Sequence, residues 1–365
     1  MFCLLPLKTT APADEKKGMK RLVAPLAAAA LLLGCPDIPE GTGPGLIGPE
    51  VPVPDGPDVP DEVVLELPPC EGGVLNAFTS AAVDPPELES GGWLPPQSDT
   101  RAAIEGSWNA LIENDAMLAL GMAAVVGYQI CRGENDESSL LLWRPSEART
   151  GRALFSWRFR NARSVIIETP HAFVDEDGAA GAVRAFEVTS ARALIASGTH
   201  PCSNPDDVPC GTGSAMCDGL PAASDAVLNG YSIFQLAHEL FAENWSADWV
   251  VSLQAMPDEG VAISDGTLGT SRGGVADSVG IELLVNLPDL PVTSCNELNG
   301  ANPAQRYCGD LTIQAMHTNG AEEVCGQEPL TASGRYVQIT SSAIARQRVD
   351  AIADAINRGM AFVGR

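Results

Sequence analysis

Between residues 163 and 345 short apolar runs alternate with longer segments of helical period. SVII (164–167), ALIAS (193–197), WVVSLQ (249–254) and RYVQIT (335–340) are runs of four to six residues, three of them rich in Val and Ile. Short runs without polar alternation predict strands buried on both faces. GAAGAVRAFEVTS (178–190), SDAVLNGYSIFQLAHELFAENW (224–245), VADSVGIELLVNL (from 275) and SSAIARQRVDAIADAINRGM (341–360) predict helices. In the second of these Leu228, Ile233, Leu236, Leu240 and Phe241 form an apolar stripe, with Ser224 as N-cap and Asp225 in the first turn. Ser341 or Ser342 caps the last. This alternation predicts an α/β fold of three layers: a predominantly parallel sheet, helices on both its faces, and functional groups at the carboxyl ends of the strands.

The first 69 residues follow a different pattern. Lys16, Lys17, Lys20 and Arg21 precede a twelve-residue apolar run, Leu22 to Leu33, which meets Gly34 and Cys35. A bilayer span needs about 20 apolar residues, so basic, apolar and small residues in this order read as a secretory signal over 1–34, with Met19 a candidate true start. Leu32-Leu33-Gly34-Cys35 resembles the lipobox of bacterial lipoproteins. That resemblance implies cleavage before Cys35, lipidation of its thiol and a membrane anchor. Pro36, rather than aspartate, follows the cysteine, which by the same resemblance favours the outer membrane. Residues 36–69 hold ten prolines, eight acids and no basic residue. That composition builds no core and predicts an extended tether reaching up to roughly 100 Å. One α/β domain is expected over 70–365.

From Cys35 onward the chain keeps 17 basic and 45 acidic residues, a formal charge of −28. So acidic a chain is a poor partner for nucleic acid. Every basic residue after Lys20 is arginine, which excludes a P-loop lysine, a Schiff base and a Ser-Lys dyad. Eight cysteines follow Cys35: Cys70, Cys131, Cys202, Cys210, Cys217, Cys295, Cys308 and Cys325. An even number in an exported chain predicts disulfides. Three fall in one Gly/Pro/Asp-rich loop and three in another, so disulfides are expected to staple these long loops, with the pairing open.

Candidate chemistry collects at the predicted strand ends. Glu168 and His171 follow SVII, His200 follows ALIAS, and Gln254 ends WVVSLQ. Imidazoles and carboxylates converging there suit a zinc ion that activates water. The arrangement is similar to zinc-dependent amidohydrolases and carboxypeptidases of the phosphorylase/hydrolase-like fold, including the N-formylglutamate amidohydrolases. Pro170-His171 matches the family's first ligand position, and Glu168 or Asp175 the second. The position matching its later histidine is Gln254, and RYVQITSS offers no acid where the carboxypeptidases carry a catalytic glutamate. The resemblance implies an amide or peptide hydrolase with His171, Glu168 and Asp175 as metal ligands and His200 as ligand or acid/base.

Two other readings stand beside it. LGTSRGG contains G-x-S-x-G around Ser271, a candidate nucleophile with later acids Asp289 or Asp310 and base His317. Arg272 in the same segment is a candidate anchor for a carboxylate-bearing substrate. The third reading is a non-catalytic envelope-binding lipoprotein for a small carboxylate-bearing or peptide ligand, in which hydrolase positions have been replaced; Gln254 and the missing late acid favour it. His238-Glu239 lacks the second histidine of H-E-x-x-H, Ala242 standing in its place, so His238 is expected on a helix surface or in packing. His317 is expected to be structural.

Overall fold

Ten strands form one mixed sheet whose spatial order is β1-β2-β3-β5-β4-β6-β10-β7-β8-β9. They are β1 (Tyr128–Arg132), β2 (Leu140–Pro145), β3 (Leu154–Arg158), β4 (Arg163–Thr169), β5 (Ala191–Ala196), β6 (Trp249–Ala255), β7 (Val261–Ser264), β8 (Val292–Ser294), β9 (Asn302–Pro303) and β10 (Tyr336–Ser341). The central strands β5, β4, β6 and β10 are parallel to their neighbours in that order. β1 to β3 extend the sheet antiparallel on one side, and β7 joins β10 antiparallel on the other before β8 and β9 resume parallel pairing. The computed structural model describes residues 64–363, except 65, 81–92, 94, 148–149, 173, 176, 208–209, 211–213, 221, 245–246, 268–273, 297–300, 305, 310–311 and 326–330. The expected signal peptide and the lipid-bearing Cys35 lie outside the described residues.

Helices cover both faces of the sheet, as the apolar strand runs require. In chain order they are α1 (Val74–Ser80), α2 (Ser98–Ile112), α3 (Ala116–Val125), α4 (Gly178–Thr189), α5 (Ile233–Asn244), α6 (Val275–Asn286), α7 (Ile313–Thr318), α8 (Ala343–Arg346) and α9 (Val349–Val363). The first face packs Ile166, Ile195, Val250 and Tyr336 against α2, α3, α5 and α7, around an aromatic group of Trp108, Trp143, Trp157, Phe155 and Phe241. Alternate residues of the same strands, among them Val165, Ile167, Val251 and Val337, face α1, α4, α6 and α9. The three-layer α/β architecture expected from the periodicity is thus present, with parallel pairing the commoner kind. On the second face α6 and α9 approach closely: a Cβ on Gly359 would lie 2.6 Å from the Val279 backbone.

Three local expectations are corrected. The helix expected from Ser224 starts only at Ile233. Asp225 accepts from the Val227 N–H, Asn229 accepts from the Tyr231 N–H and donates to the Ala223 carbonyl, and these side-chain bonds hold 224–232 in turns. Ser232 is the working N-cap, accepting from the Gln235 N–H. The last helix is two: Ser342 caps α8, and α9 begins at Val349. Val64 and Leu67, assigned to the tether, are buried in the first-face core.

All eight cysteines after Cys35 are paired, as Cys70–Cys131, Cys202–Cys217, Cys210–Cys325 and Cys295–Cys308. The first clips the segment ahead of α1 to β1 across a separation of 61 residues, and the third joins the two cysteine-rich loops. By the chain-entropy argument, closing the Cys70–Cys131 loop stabilises the folded state by about 4 kcal/mol. The double variant Cys70→Ser/Cys131→Ser is expected to lose about that much in urea denaturation. A midpoint equal to that of the wild type would show that the clip adds nothing.

Candidate functional site

The carboxyl ends of the parallel strands were expected to bring Glu168, His171 and Asp175 together as a metal-ligand trio. The structure separates them. Glu168 pairs in register with Ile195 on β5 and Ser252 on β6, and shares the first sheet face with Ile166. There it is fully buried and accepts a hydrogen bond at 2.6 Å from His238 Nδ1 of α5. A strand turns successive side chains to opposite faces, so Glu168 is committed to α5. His171, two residues past the strand, is free to turn elsewhere.

His171 is buried and its Nε2 donates to Asp225 Oδ1 at 3.0 Å. The same carboxylate accepts from Ser214 Oγ at 2.6 Å and from the Val227 N–H at 3.2 Å. One buried carboxylate therefore ties the end of β4 to the cysteine-stapled segment 202–217 and to the turns before α5. Burial disfavours the charged imidazole. The Asp225 carboxylate, its hydrogen bond and nearby Asp175 outweigh that, and the His171 pKa is raised above the ordinary value. Burial likewise disfavours ionised Asp225, but His171 and the bonds from Ser214 and Val227 leave its pKa lowered. The two shifts agree in describing a buried imidazolium–carboxylate pair.

Asp175 follows the same turn but looks to β6, where Oδ2 accepts from the Ala255 N–H at 2.9 Å. Burial raises its pKa against the opposing pull of His171, that N–H and Arg346. His200 lies close enough to sense both members of the pair. Burial and the charge of His171 lower its pKa, and Asp225 acts against them. His200 Nδ1 accepts from the Cys202 N–H at 3.0 Å, which fixes the proton of the neutral ring on Nε2. The structure thus brings His171, His200, Asp175 and Asp225 into one neighbourhood at the strand ends.

Next to it the edge is filled by amides and hydroxyls. Glu168, Ser252, Gln338 and Ser264 form one row across β4, β6, β10 and β7. Gln254 Nε2 donates to Gln338 Oε1 at 3.2 Å and to Ser252 Oγ at 3.3 Å, and Gln338 Nε2 donates to the Tyr307 carbonyl and to Thr340 Oγ1. Gly309 (φ 67°) passes so near that a Cβ would lie 2.3 Å from Gln338 Oε1. A crevice at this edge is lined by Asp175, Gln254, Ser341 and Arg346.

These residues do not fit a zinc ion. Among the described residues no group of three or more His, Cys, Asp or Glu side chains is placed to hold a metal. His171 is bonded through Nε2 to Asp225, and Glu168 is bonded instead to His238. Only part of the serine reading falls among the described residues. Ser271 and Arg272 lie outside the described residues, as does Asp310. Asp289 pairs with Arg348, while His317 bonds His238 and Glu243. Sequence reasoning missed Asp225 as the partner of His171 and Ser214 as a second donor to that carboxylate. It also placed His238 on a surface or in general packing, although His238 falls between Phe234 and Phe241 in the buried stripe of α5, a legible sign of an interior position.

No family model matches this chain, and no curated protein matches it. Among solved structures, a provisionally assigned metallopeptidase from Shewanella amazonensis is 13% identical over 66% of this chain and 89% of its own, with a TM-score of 0.31. One of the same description from Shewanella denitrificans is 11% identical over 72% and 89%, also at 0.31. A provisionally assigned carboxypeptidase A from that organism is 11% identical over 67% of each chain, at 0.30.

Removing one charge of a buried pair costs about 3–5 kcal/mol. Asp225→Asn is expected to lower the unfolding free energy by about 3 kcal/mol at pH 6, read from urea curves. The raised His171 value means its share of the stabilisation is present below the unfolded imidazole value, about 6.5, and lost as pH rises through the folded one. The lowered Asp225 value means its share is present above the unfolded carboxylate value, about 3.9, and lost as pH falls through the folded one. The gap between wild type and variant is therefore greatest between the two, and a pH-independent gap would contradict the pair.

Proposed function

We propose that this chain is an exported, lipid-anchored protein of the bacterial envelope whose α/β unit binds a peptide ligand at the carboxyl edge of its sheet without hydrolysing it. One observation carries the reading: the polar groups at that edge are already bonded to one another. His171 is held by Asp225, Asp175 by the Ala255 N–H, and Gln254 by Gln338. A metal hydrolase needs open ligand positions and a free acid or base. Here neutral amides occupy the ends of β6 and β10. Amide and imidazole groups at a strand edge suit recognition of peptide N–H and C=O groups, and the half-buried His200, with its proton on Nε2, offers a donor. The net charge of −28 beyond Cys35 favours a neutral or cationic peptide over an anionic one. The lipobox and the four disulfides support an oxidising location outside the cytoplasm.

The test is metal analysis, peptide hydrolysis and peptide binding on the purified protein. The expected outcome is no stoichiometric zinc after dialysis against it and no cleavage of an envelope-derived peptide pool. Members of that pool are expected to bind and to perturb the His200 ring resonances, and His200→Ala is expected to weaken binding about tenfold, equivalent to about 1.4 kcal/mol. One zinc per chain, lost on His171→Ala together with peptide cleavage, would establish the hydrolase instead. Labelling with palmitate that survives Cys35→Ala would refute the anchor.

A further inference from the structure

A line of four titratable side chains crosses the protein on the first face of the sheet, apart from the strand-end site. It begins at Glu168, fully buried, whose Oε1 lies 2.6 Å from His238 Nδ1. His238 Nε2 lies 3.0 Å from His317 Nδ1 on α7, with the two rings perpendicular to within 13° of T-shaped geometry at 77°. His317 Nε2 lies 3.0 Å from Glu243 Oε1 on α5. The line thus joins a carboxylate without access to water to one whose side chain is 62% exposed.

Each of its three junctions needs a proton. An ionised carboxylate only accepts, and a neutral imidazole carries a single N–H. Two neutral rings between two ionised carboxylates supply two protons for three junctions. The complete line exists only when the set holds one proton more, whichever atom carries it. We infer that His238 and His317 hold one shared extra proton near neutral pH, and that this proton latches α7 to α5 and β4.

Two further observations point the same way. Glu168 Oε2 has no hydrogen-bond partner, so a fully buried carboxylate depends on the cation at His238 for compensation. Retention of a second proton is opposed: burial and the charge of His238 lower the His317 pKa against Glu243 and Glu239. The other neighbours do not replace the shared proton. From β10, Tyr336 stays a neutral phenol, because burial and Glu168 both raise its pKa. From α2, Arg101 is bound to Glu239 and offsets that charge. Thr318 on α7 places Oγ1 3.5 Å from His238 Nε2 and Ser252 lies on β6 beside Glu168, both uncharged. Arg192 of β5 lies beside Phe241, further along α5. Asp248 and Arg335 line the surface groove that His317 and Thr318 also line.

That groove gives the proton a route to water, since the His317 side chain is 20% exposed. α7 has other attachments: Ile313 to Val227, Gln314 to Ala226 and Gln235, and Asn319, just beyond its end, to Asp265. Proton loss therefore breaks one junction and loosens α7 from α5 without detaching it. The latch is intact while the set holds its third proton and is lost when rising pH removes it.

The chain has four histidines, so two-bond proton–nitrogen spectra of the nitrogen-15-labelled protein read the charge and tautomer of each ring from pH 5 to 9. The expected result is that His238 and His317 release one proton in a single common step as pH is raised across that range. Amide exchange in α7, corrected for its intrinsic pH dependence, becomes about tenfold faster across that step, a factor equivalent to about 1.4 kcal/mol of opening free energy. His317→Gln keeps a hydrogen-bonding side chain without a titratable ring and is expected to abolish the change in exchange. Should that variant not fold, Glu243→Gln at the exposed end removes one compensating charge and is expected to move the common step to lower pH. Two rings that are both neutral at pH 6, independent titrations, or a step unmoved by Glu243→Gln would each overturn the latch.

Discussion

Because both faces of β4, β5, β6 and β10 are covered by helices, a polar atom on those strands finds its partner inside the protein or, like Glu168 Oε2, has none. Water is not there to take up the remainder. That constraint determines which residues can do chemistry. Glu168 is the clearest case: a carboxylate in the middle of a buried row is satisfied on one oxygen by a histidine from the covering helix, and the price is that it cannot serve the strand end two residues away. Ser252, Gln338 and Thr340 obey the same rule, bonding along the row and to the backbone segment at Tyr307.

The basic partners of the buried carboxylates in this interior are histidines. The chain holds no lysine after Lys20. Arginines bonded to carboxylates, such as Arg184 with Asp350 and Arg348 with Asp289, work near the surface. Buried Asp225 is met by His171 and buried Glu168 by His238. An interior neutralised by arginine would hold its charges at any pH a cell meets. One neutralised by imidazole titrates within that range. The acidic bias of the composition therefore reaches into the core as two carboxylate–imidazole bonds, Asp225–His171 and Glu168–His238.

The central architecture was legible in the sequence because it depends on local pattern. The unbroken apolar runs at 164–167, 193–197, 249–254 and 335–340 became β4, β5, β6 and β10, and the periodic segments from 178 and 275 became α4 and α6. No strand was read before residue 163, although LLLWR and LFSWR are runs of the same kind and form β2 and β3. Pairing direction was not legible, since nothing local distinguishes the antiparallel β7 from the parallel β8 beside it. At the site, strand alternation already separates Glu168 from Ile167 by face. What no local pattern carries is the identity of partners 54 residues away for His171 and 70 for Glu168.

In the proposed reading, the same non-local bonds suit this sheet edge to holding a ligand rather than to catalysis. A catalytic edge keeps its ionisable groups underbonded, with lone pairs open toward the substrate or a metal. Here two of the strand-end contacts come from loops closed by disulfides. Cys202–Cys217 frames the segment that carries Ser214 to Asp225, and Cys295–Cys308 frames the approach of Tyr307 and Gly309 to Gln338. Fixing these loops lowers the ordering cost of any partner that docks on them. It also removes the freedom a general base needs to reach and release a proton. The bonds that fix this edge are therefore also the ones that occupy His171 and Asp175, while His200, whose Nδ1 accepts from the Cys202 N–H, keeps its Nε2 proton free of that bond.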